Sequence, residues 1–257
     1  TTSLRIRTRD GVNQFSAEDS RIIRVDKTAP TSLRPRGRLI RDTQATLTTV
    51  PVQIEMKATD ARSGVSRYDL RQSDDGGAFA VVPLADPTRA SVTRTLEMET
   101  RYAFRSRATD LAANTGTLGS TYAMHTEVLN DTSPLMNFAY SAGWTVVSQA
   151  NAIGGDEHVA SVAGETMSVA WFGTSVAWIA SEGPNRGIAE VYLDEALVGT
   201  VDLYNPTGRL RMLAFTFNGN PNTNADHILE IRVTGTKNVA STDTRIAVDA
   251  FVMIERD

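Results

Sequence analysis

Apolar and polar residues alternate with a period of two along most of the chain. Successive side chains of a β-strand point to opposite faces, so this period predicts strands with one buried and one open face. The segment Asp74-Asp75-Gly76-Gly77 has the composition of a hairpin turn. The alternation predicts an all-β fold built from β-sandwiches. Its apolar sets are Val52, Ile54 and Met56; Tyr68 and Leu70; Ala80 and Val82; Met167, Val169 and Trp171; Ala189, Val191 and Leu193; Leu197, Gly199, Val201 and Leu203; Leu229, Ile231 and Val233; and Ile246, Val248, Ala250, Val252 and Ile254.

Two segments of the chain, residues 4–30 and 102–134, share one order of features: an alternating strand, a turn, a second strand and a proline-containing exit. Ile6 corresponds to Phe104 and Pro30 to Pro134, at offsets of 98 and 104 residues. That spacing is the length of an immunoglobulin-type repeat. We therefore expect residues 1–30 to be the C-terminal remnant of one repeat and residues 31–133 to form one complete β-sandwich.

The sequence of this repeat resembles a known class of module. Residues 58–65 (ATDARSGV) and 107–114 (RATDLAAN) resemble the tandem Ig-like or fibronectin-like repeats of bacterial surface proteins and secreted enzymes. In that family such repeats are spacers or adhesive modules. The resemblance implies one of these roles for residues 31–133.

The composition changes near residue 134, because all three tryptophans, Trp144, Trp171 and Trp178, lie beyond it. This part of the chain resembles the C-terminal jelly-roll modules of bacterial secreted hydrolases, which are related in shape to carbohydrate-binding modules. The resemblance implies a jelly-roll domain over residues 134–257, and the whole chain would then be a tandem of an Ig-like and a jelly-roll sandwich. It is carried by residues 140–144 (YSAGW), 183–194 (GPNRGIAEVYLD), 233–240 (VTGTKNVA) and 248–252 (VDAFV).

Composition excludes several classes of function. The 26 basic residues are scattered among 30 acidic ones, with a formal net charge of −4, so no basic face for nucleic acid is indicated. Cysteine is absent, which excludes disulfides, thiolate metal sites and a cysteine nucleophile, and which fits a protein secreted from a bacterium. The longest apolar stretch, residues 169–180, is too short and too interrupted to span a membrane. Because the chain starts at Thr1 without a signal peptide, we expect a piece of a longer secreted or cell-surface protein.

The sequence indicates no catalytic site. His125, His158 and His227 have no metal-ligand spacing, and neither a His-Glu-x-x-His nor a Gly-x-Ser-x-Gly motif occurs. The chain is therefore expected not to be an enzyme.

Glycan recognition needs aromatic faces for sugar rings and planar polar groups for hydroxyls. Trp144, Tyr192 and Tyr204 are expected to be exposed, because Trp144 lies in a polar segment and both tyrosines are out of phase with nearby apolar residues. The alternative is that each fills a core or covers a sheet edge. Trp171 and Trp178 follow the buried positions of their strands and are expected in the core.

The tight loop of residues 182–187 contains the first candidate for a ligand contact. Arg186, beside Asn185, has a fork of donors that could hold vicinal hydroxyls or a uronate carboxylate. Alternatively, Arg186 braces loop carbonyls or pairs with Glu182 or Asp194. Lys237 could line the same rim or be a solvated turn residue, and His158 could be a polar contact or only a strand-entry residue.

Structural calcium is implied by the jelly-roll resemblance, because such modules often carry one such ion. Asp156, Asp243 and Asp249 are the candidate ligands. Asp249 interrupts an apolar strand, which is typical of a metal-bound or hydrogen-bonded carboxylate, although a place on the outer face of the sheet explains it equally well.

Together these features predict a non-catalytic extracellular module that binds polysaccharide or cell-surface glycan, as an appendage of a larger protein with an upstream catalytic domain. The alternative is a structural or assembly role on the bacterial surface, in which the chain packs against copies of itself or a partner without binding glycan. An exposed aromatic groove would favour the first and a flat apolar patch the second.

Overall fold

The structure, a computed structural model, describes residues 2–131 and 138–257. The all-β prediction is confirmed, since these residues form 22 strands and one short 3-10 turn, Ile153–Gly155. None of the helices in this part of the chain is long and apolar enough to cross a membrane. The strands are β1 Thr2–Ile6, β2 Asp19–Ile23, β3 Thr31–Ser32, β4 Arg36–Leu39, β5 Thr49–Glu55, β6 Ala58–Thr59, β7 Val65–Asp74, β8 Ala80–Val82, β9 Ser91–Glu97, β10 Thr100–Asp110, β11 Tyr122–Asn130, β12 Phe138–Tyr140, β13 Thr145–Ser148, β14 Asp156–Ala160, β15 Thr166–Gly173, β16 Ser175–Glu182, β17 Ile188–Leu193, β18 Ala196–Asp202, β19 Arg209–Asn218, β20 Ala225–Val233, β21 Ile246–Val248 and β22 Ala250–Arg256.

The first sandwich packs the three-stranded sheet β4-β5-β9 against strands β7, β10 and β11. Strand β5 alternates between buried and half-buried positions, as the apolar set Val52, Ile54 and Met56 predicts. These residues meet Phe104 and Tyr122 in one core. Each fully buried aliphatic or phenyl side chain contributes about 1.5 to 3 kcal/mol, so this alternation stabilises the pairing of the two sheets.

The second sandwich packs the five-stranded sheet β12-β15-β20-β17-β18 against strands β16, β21 and β22. Trp171 and Trp178 lie in its core at 3% and 0% exposure, as their strand positions predict. The Trp178 indole nitrogen donates a hydrogen bond to the Ala247 carbonyl at 3.2 Å, so its polar edge is satisfied inside the core.

One continuous seven-stranded sheet, β19-β16-β22-β11-β10-β7-β8, runs through both sandwiches. Strands β11 and β22 pair antiparallel from Met124 opposite Arg256 to Asn130 opposite Ala250. The faces of β16 and β22 are divided between the two cores, since Trp178 packs in the second core and Ile179 in the first. This two-sided burial explains why every residue of β16 is buried.

The N-terminal hairpin β1–β2 forms a separate two-stranded sheet. Its apolar residues Leu4, Ile6 and Ile22 are 46%, 55% and 66% exposed. The assignment of residues 1–30 to a repeat remnant, and of the two sandwiches to the Ig-like and jelly-roll classes, stays a prediction. The predicted boundary between residues 133 and 134 lies in residues 132–137, outside the described part of the chain.

Candidate functional site

The open face of the five-stranded sheet carries a group of polar, aromatic and aliphatic side chains. The inward positions of its central strands, such as Val169, Val191 and Ile231, are fully buried in the second core. The alternate positions therefore point away from the core. They are Ser168, Ala170 and Phe172 on β15, Glu190 and Tyr192 on β17, and Ile228, Glu230 and Arg232 on β20.

Four of these side chains form a fixed polar network across β17 and β20. In the strand register, Glu190 lies opposite Arg232 and Tyr192 lies opposite Glu230. Arg232 Nε and Nη2 donate to Glu230 Oε1 at 3.1 and 2.6 Å, and Nη1 donates to the Tyr192 hydroxyl at 3.2 Å. That hydroxyl donates in turn to Glu190 Oε2 at 2.7 Å. The guanidinium carbon lies 4.3 Å from the centre of the Tyr192 ring, so stacking holds the two planes together.

The same contacts fix the protonation of the network. The hydrogen bond to Glu190 raises the pKa of Tyr192, because it favours the phenol that donates over the phenolate. The hydrogen bond to Glu230 raises the pKa of Arg232. A neutral hydroxyl and a charged guanidinium are thus both retained near neutral pH.

Two adjoining hollows lie on this face, with volumes of about 550 and 680 Å³. We refer to them together as the open-face hollow. They share Asp194 and Ile228. The first also includes Phe172, and the second includes Tyr192, Glu230 and Arg232 of the network. Phe172 and Ile228 are 48% and 54% exposed, which provides apolar surface next to the polar network.

An Asp–His pair closes one end of the open-face hollow. His227 Nδ1 lies 2.7 Å from Asp194 Oδ2, and Asp194 Oδ1 accepts a hydrogen bond from the Ile228 amide at 2.9 Å. Burial alone would raise the pKa of Asp194, but the hydrogen bonds from Ile228 and His227 outweigh it and lower that pKa. The imidazole also packs against Trp171 at 4.9 Å between ring centres.

Tyr192 is the residue of the open-face hollow that the sequence singled out. Sequence reasoning missed Glu190, Glu230 and Arg232. The signal for the last two was their alternation with Leu229, Ile231 and Val233 on β20, which places them on the open face. Their convergence on Tyr192 depends on the pairing of β17 with β20, which the sequence does not reveal.

Arg186 differs from its predicted role as an exposed ligand contact, because it is only 8% exposed. Its Nη2 donates to Ser181 Oγ at 2.7 Å and lies 3.7 Å from Glu157 Oε2, and its Nη1 donates to Asn185 Oδ1 at 3.0 Å. Burial lowers the pKa of Arg186. The bracing alternative is the one that fits the structure, with Glu157 rather than Glu182 or Asp194 as partner.

Trp144 also differs from its prediction, because it is buried rather than exposed. It is 8% exposed and packs edge-on against Tyr140 with ring centres 5.7 Å apart. His158 belongs to the same cluster as Tyr140 and Trp144. Its ring stacks on Tyr140 with ring centres 4.1 Å apart, and its Nδ1 lies 2.6 Å from Asp131 Oδ2. Both residues therefore help to hold the β12–β14 region together.

The other two predicted contacts lie outside the open-face hollow. Tyr204 is half-buried after β18, where its backbone forms an isolated bridge with Gly183. Lys237 is exposed in the turn after β20. The structure does not bring either residue to Tyr192.

The predicted calcium ligands Asp156, Asp243 and Asp249 are not among the acids whose oxygens converge. Asp243 is exposed, whereas Asp249 is fully buried, which excludes its alternative place on an outer face. Asp249 Oδ1 accepts a hydrogen bond from the Ile153 amide at 2.8 Å, and burial raises the pKa of this carboxyl to about 8. Its position between the apolar strands β21 and β22 is thus explained by a largely protonated, hydrogen-bonded group.

Within the described residues, one group of three acids has ligand atoms within 4.8 Å of one another: Asp26, Asp60 and Asp110. It joins the segment after β2 to the first sandwich, where Asp26 Oδ2 also accepts from the Ser63 amide at 2.9 Å. Asp110 is held by Asn114, which donates to both carboxylate oxygens at 2.8 Å. Asp60 Oδ2 is buried without a hydrogen-bond partner. Three oxygens so arranged are the ligands that Ca²⁺ prefers.

No family model matches the chain, and no curated protein matches it. It is similar to solved structures of a Paenibacillus xanthan lyase (12% identity, TM-score 0.35), an α-L-rhamnosidase from Dictyoglumus thermophilum (11%, 0.32) and one from Aspergillus terreus (10%, 0.34). These matches cover 79%, 89% and 88% of this chain, but the chain spans only 24%, 28% and 26% of those proteins. Similarity at these identities and TM-scores carries no argument about function.

Proposed function

We propose that the chain binds a polysaccharide or glycan in the open-face hollow without processing it, as an extracellular module of a larger secreted or cell-surface bacterial protein. The observation that carries the proposal is the network of Glu190, Tyr192, Glu230 and Arg232, held in place beside exposed apolar surface. Sugars present apolar C–H faces and rows of hydroxyl groups, so they need apolar surface and planar polar groups at one site.

The network is suited to this task because its polar groups are fixed before a ligand arrives. Arg232 is restrained on two sides, by Glu230 and by the Tyr192 ring. Less side-chain entropy is lost on binding when the groups are already ordered. Glu230 lines the hollow, and its Oε2 takes no part in the network bonds, so it can accept a hydrogen bond from a sugar hydroxyl.

Binding without catalysis fits the placement of the acids. Glycoside hydrolysis uses a carboxyl that is kept protonated by an apolar site, opposite a second carboxylate. The buried carboxyls with a raised pKa, Asp131, Glu157 and Asp249, do not line the open-face hollow. In the hollow, Asp194, Glu195 and Asp226 are exposed, and Glu230 is half-buried and bonded to Arg232.

Assembly is the second candidate function, and the exposed apolar residues of the N-terminal hairpin favour it. Leu4, Ile6 and Ile22 would be covered in an association with another copy or a partner chain. This function predicts concentration-dependent oligomers that lose stability when Ile6 and Ile22 are changed to serine, with no dependence on Tyr192.

The test compares two half-buried tyrosines in affinity electrophoresis and calorimetry against a panel of plant and bacterial polysaccharides. Tyr192→Ala removes the centre of the network and is expected to weaken binding at least about tenfold, or about 1.4 kcal/mol. Tyr204→Ala is the matched control and is expected to bind as the wild type does. Failure of the wild type to bind any glycan, or equal binding by the Tyr192→Ala variant, would overturn the proposal.

A further inference from the structure

The open-face hollow is strongly acidic. Among its lining residues are four carboxylates, from Asp194, Glu195, Asp226 and Glu230, and one guanidinium, from Arg232. Four negative charges and one positive charge give a formal charge of −3 when His227 is neutral. Glu190 adds a further carboxylate through its bond to Tyr192. The hollow is thus far more negative than an even share of the chain's net charge of −4 would make it.

The cation of the hollow is already paired with a carboxylate. Arg232 donates from Nε and Nη2 to Glu230 and from Nη1 to the Tyr192 hydroxyl, and its guanidinium lies over the tyrosine ring. An incoming carboxylate or sulfate could take the Nε–Nη2 fork only by displacing Glu230, and elsewhere on the guanidinium it would meet a positive charge that Glu230 already offsets. The other cation considered for a uronate, Arg186, is buried against Glu157.

We infer that the open-face hollow selects by charge: it takes glycans that are neutral or carry amino groups, and it rejects glycans that carry carboxylate or sulfate groups. This inference rests on the proposed glycan-binding function. Protonated amines are attracted by the surrounding carboxylates, neutral hydroxyls can donate to them, and anionic substituents are repelled by them. The order of affinity is therefore amine-bearing, then neutral, then acidic.

Matched pairs of polysaccharides test the order directly. The wild-type protein is run in affinity electrophoresis against hydroxyethylcellulose with carboxymethylcellulose, galactan with polygalacturonan, mannan with alginate, and chitosan with chitin oligosaccharides. The expected result is at least tenfold weaker binding to the acidic member of any of the first three pairs that binds, and tighter binding to chitosan than to chitin oligosaccharides. The difference in affinity between the neutral and the acidic member of a pair is expected to decrease as NaCl rises from 20 to 500 mM. Salt screens exposed charges, with a Debye length of about 10 Å at 0.1 M.

Charge-neutralising variants test whether the carboxylates of the hollow cause the selectivity. The double variant Glu195→Gln/Asp226→Asn removes two negative charges from the rim. It is expected to reduce the ratio of the affinities for neutral and acidic glycans at least threefold. Asp243→Asn, an exposed acid outside the hollow, is the control and is expected to leave this ratio unchanged. Acidic glycans bound as tightly as neutral ones would overturn the inference and leave the proposed function standing. A protein that binds no glycan at all would overturn the proposed function, and the inference with it.

Discussion

The buried carboxyl of Asp249 should make the protein less stable as the pH rises. Burial raises its pKa from 3.8 to about 8, because ionisation is opposed by desolvation and by the negative charges of Glu157 and Asp131. Between these two pH values the unfolded chain has released the proton and the folded chain keeps it. The contribution of Asp249 to stability therefore falls with rising pH by about 1.4 kcal/mol per unit, starting near pH 4 and levelling off above pH 8.

Asp249→Asn removes this titration and keeps most of the contacts. The amide oxygen of asparagine can still accept the hydrogen bond from Ile153, and an NH₂ group replaces Oδ2, which is buried without a partner. Relative to the wild type, the variant should gain on the order of 4 kcal/mol between pH 4 and pH 7, and slightly more by pH 8.

The assay is urea unfolding followed by tryptophan fluorescence at half-unit steps from pH 4 to pH 9. Glu157 and Asp131 titrate in both proteins, so the quantity to compare is the difference between the variant and the wild type at each pH. A difference that stays constant with pH, or that changes in favour of the wild type, would refute the assignment of a protonated Asp249. Asp243→Asn, at an exposed position, serves as the control variant.

Two further predictions concern the other charged groups. Arg186→Ala should lower the free energy of unfolding by about 3 to 5 kcal/mol, because it leaves Glu157 buried without its cation. The glycan affinity of the folded variant should stay at the wild-type value. Urea unfolding measures the stability and calorimetry the affinity, and a loss of affinity without a loss of stability would contradict the bracing role. Calcium should raise the melting temperature of the wild type but not of the Asp60→Asn variant, because the ion would bind Asp26, Asp60 and Asp110. Thermal melts with calcium and with EDTA measure this effect. An equal response of both proteins to calcium would contradict the prediction.

Local pattern was enough to predict the strands but not their partners. The alternation at Val52 and Ile54, and at Leu229 and Ile231, correctly indicated one buried face, because a period of two is a property of a single strand. The almost continuous apolar run through β16 arises because Trp178 faces one core and Ile179 the other. The shared sheet that causes this depends on the pairing of β11 with β22, which is not encoded in the pattern of either strand.

The candidate site was predicted in part for the same reason. Tyr192 was identifiable because it is out of phase with Val191 and Leu193, whereas its partners on β20 required the register. Trp144 was wrongly expected to be exposed because its neighbours in sequence are polar, although its neighbours in space are aromatic. The partner of Arg186 is a residue of β14, and local sequence offered only Glu182 and Asp194 as candidates.

The pairing of β11 with β22 has a consequence for any attempt to divide this protein. Separating the sandwiches would strip each of these strands of the neighbour to which it is hydrogen-bonded, from Met124 to Asn130 on one side and from Ala250 to Arg256 on the other. Each half would then have an exposed edge strand with unpaired backbone amides and carbonyls, which can pair with the strands of other chains. A version of the protein cut between the sandwiches is therefore expected to aggregate, whereas the intact chain keeps both strands paired along their full length.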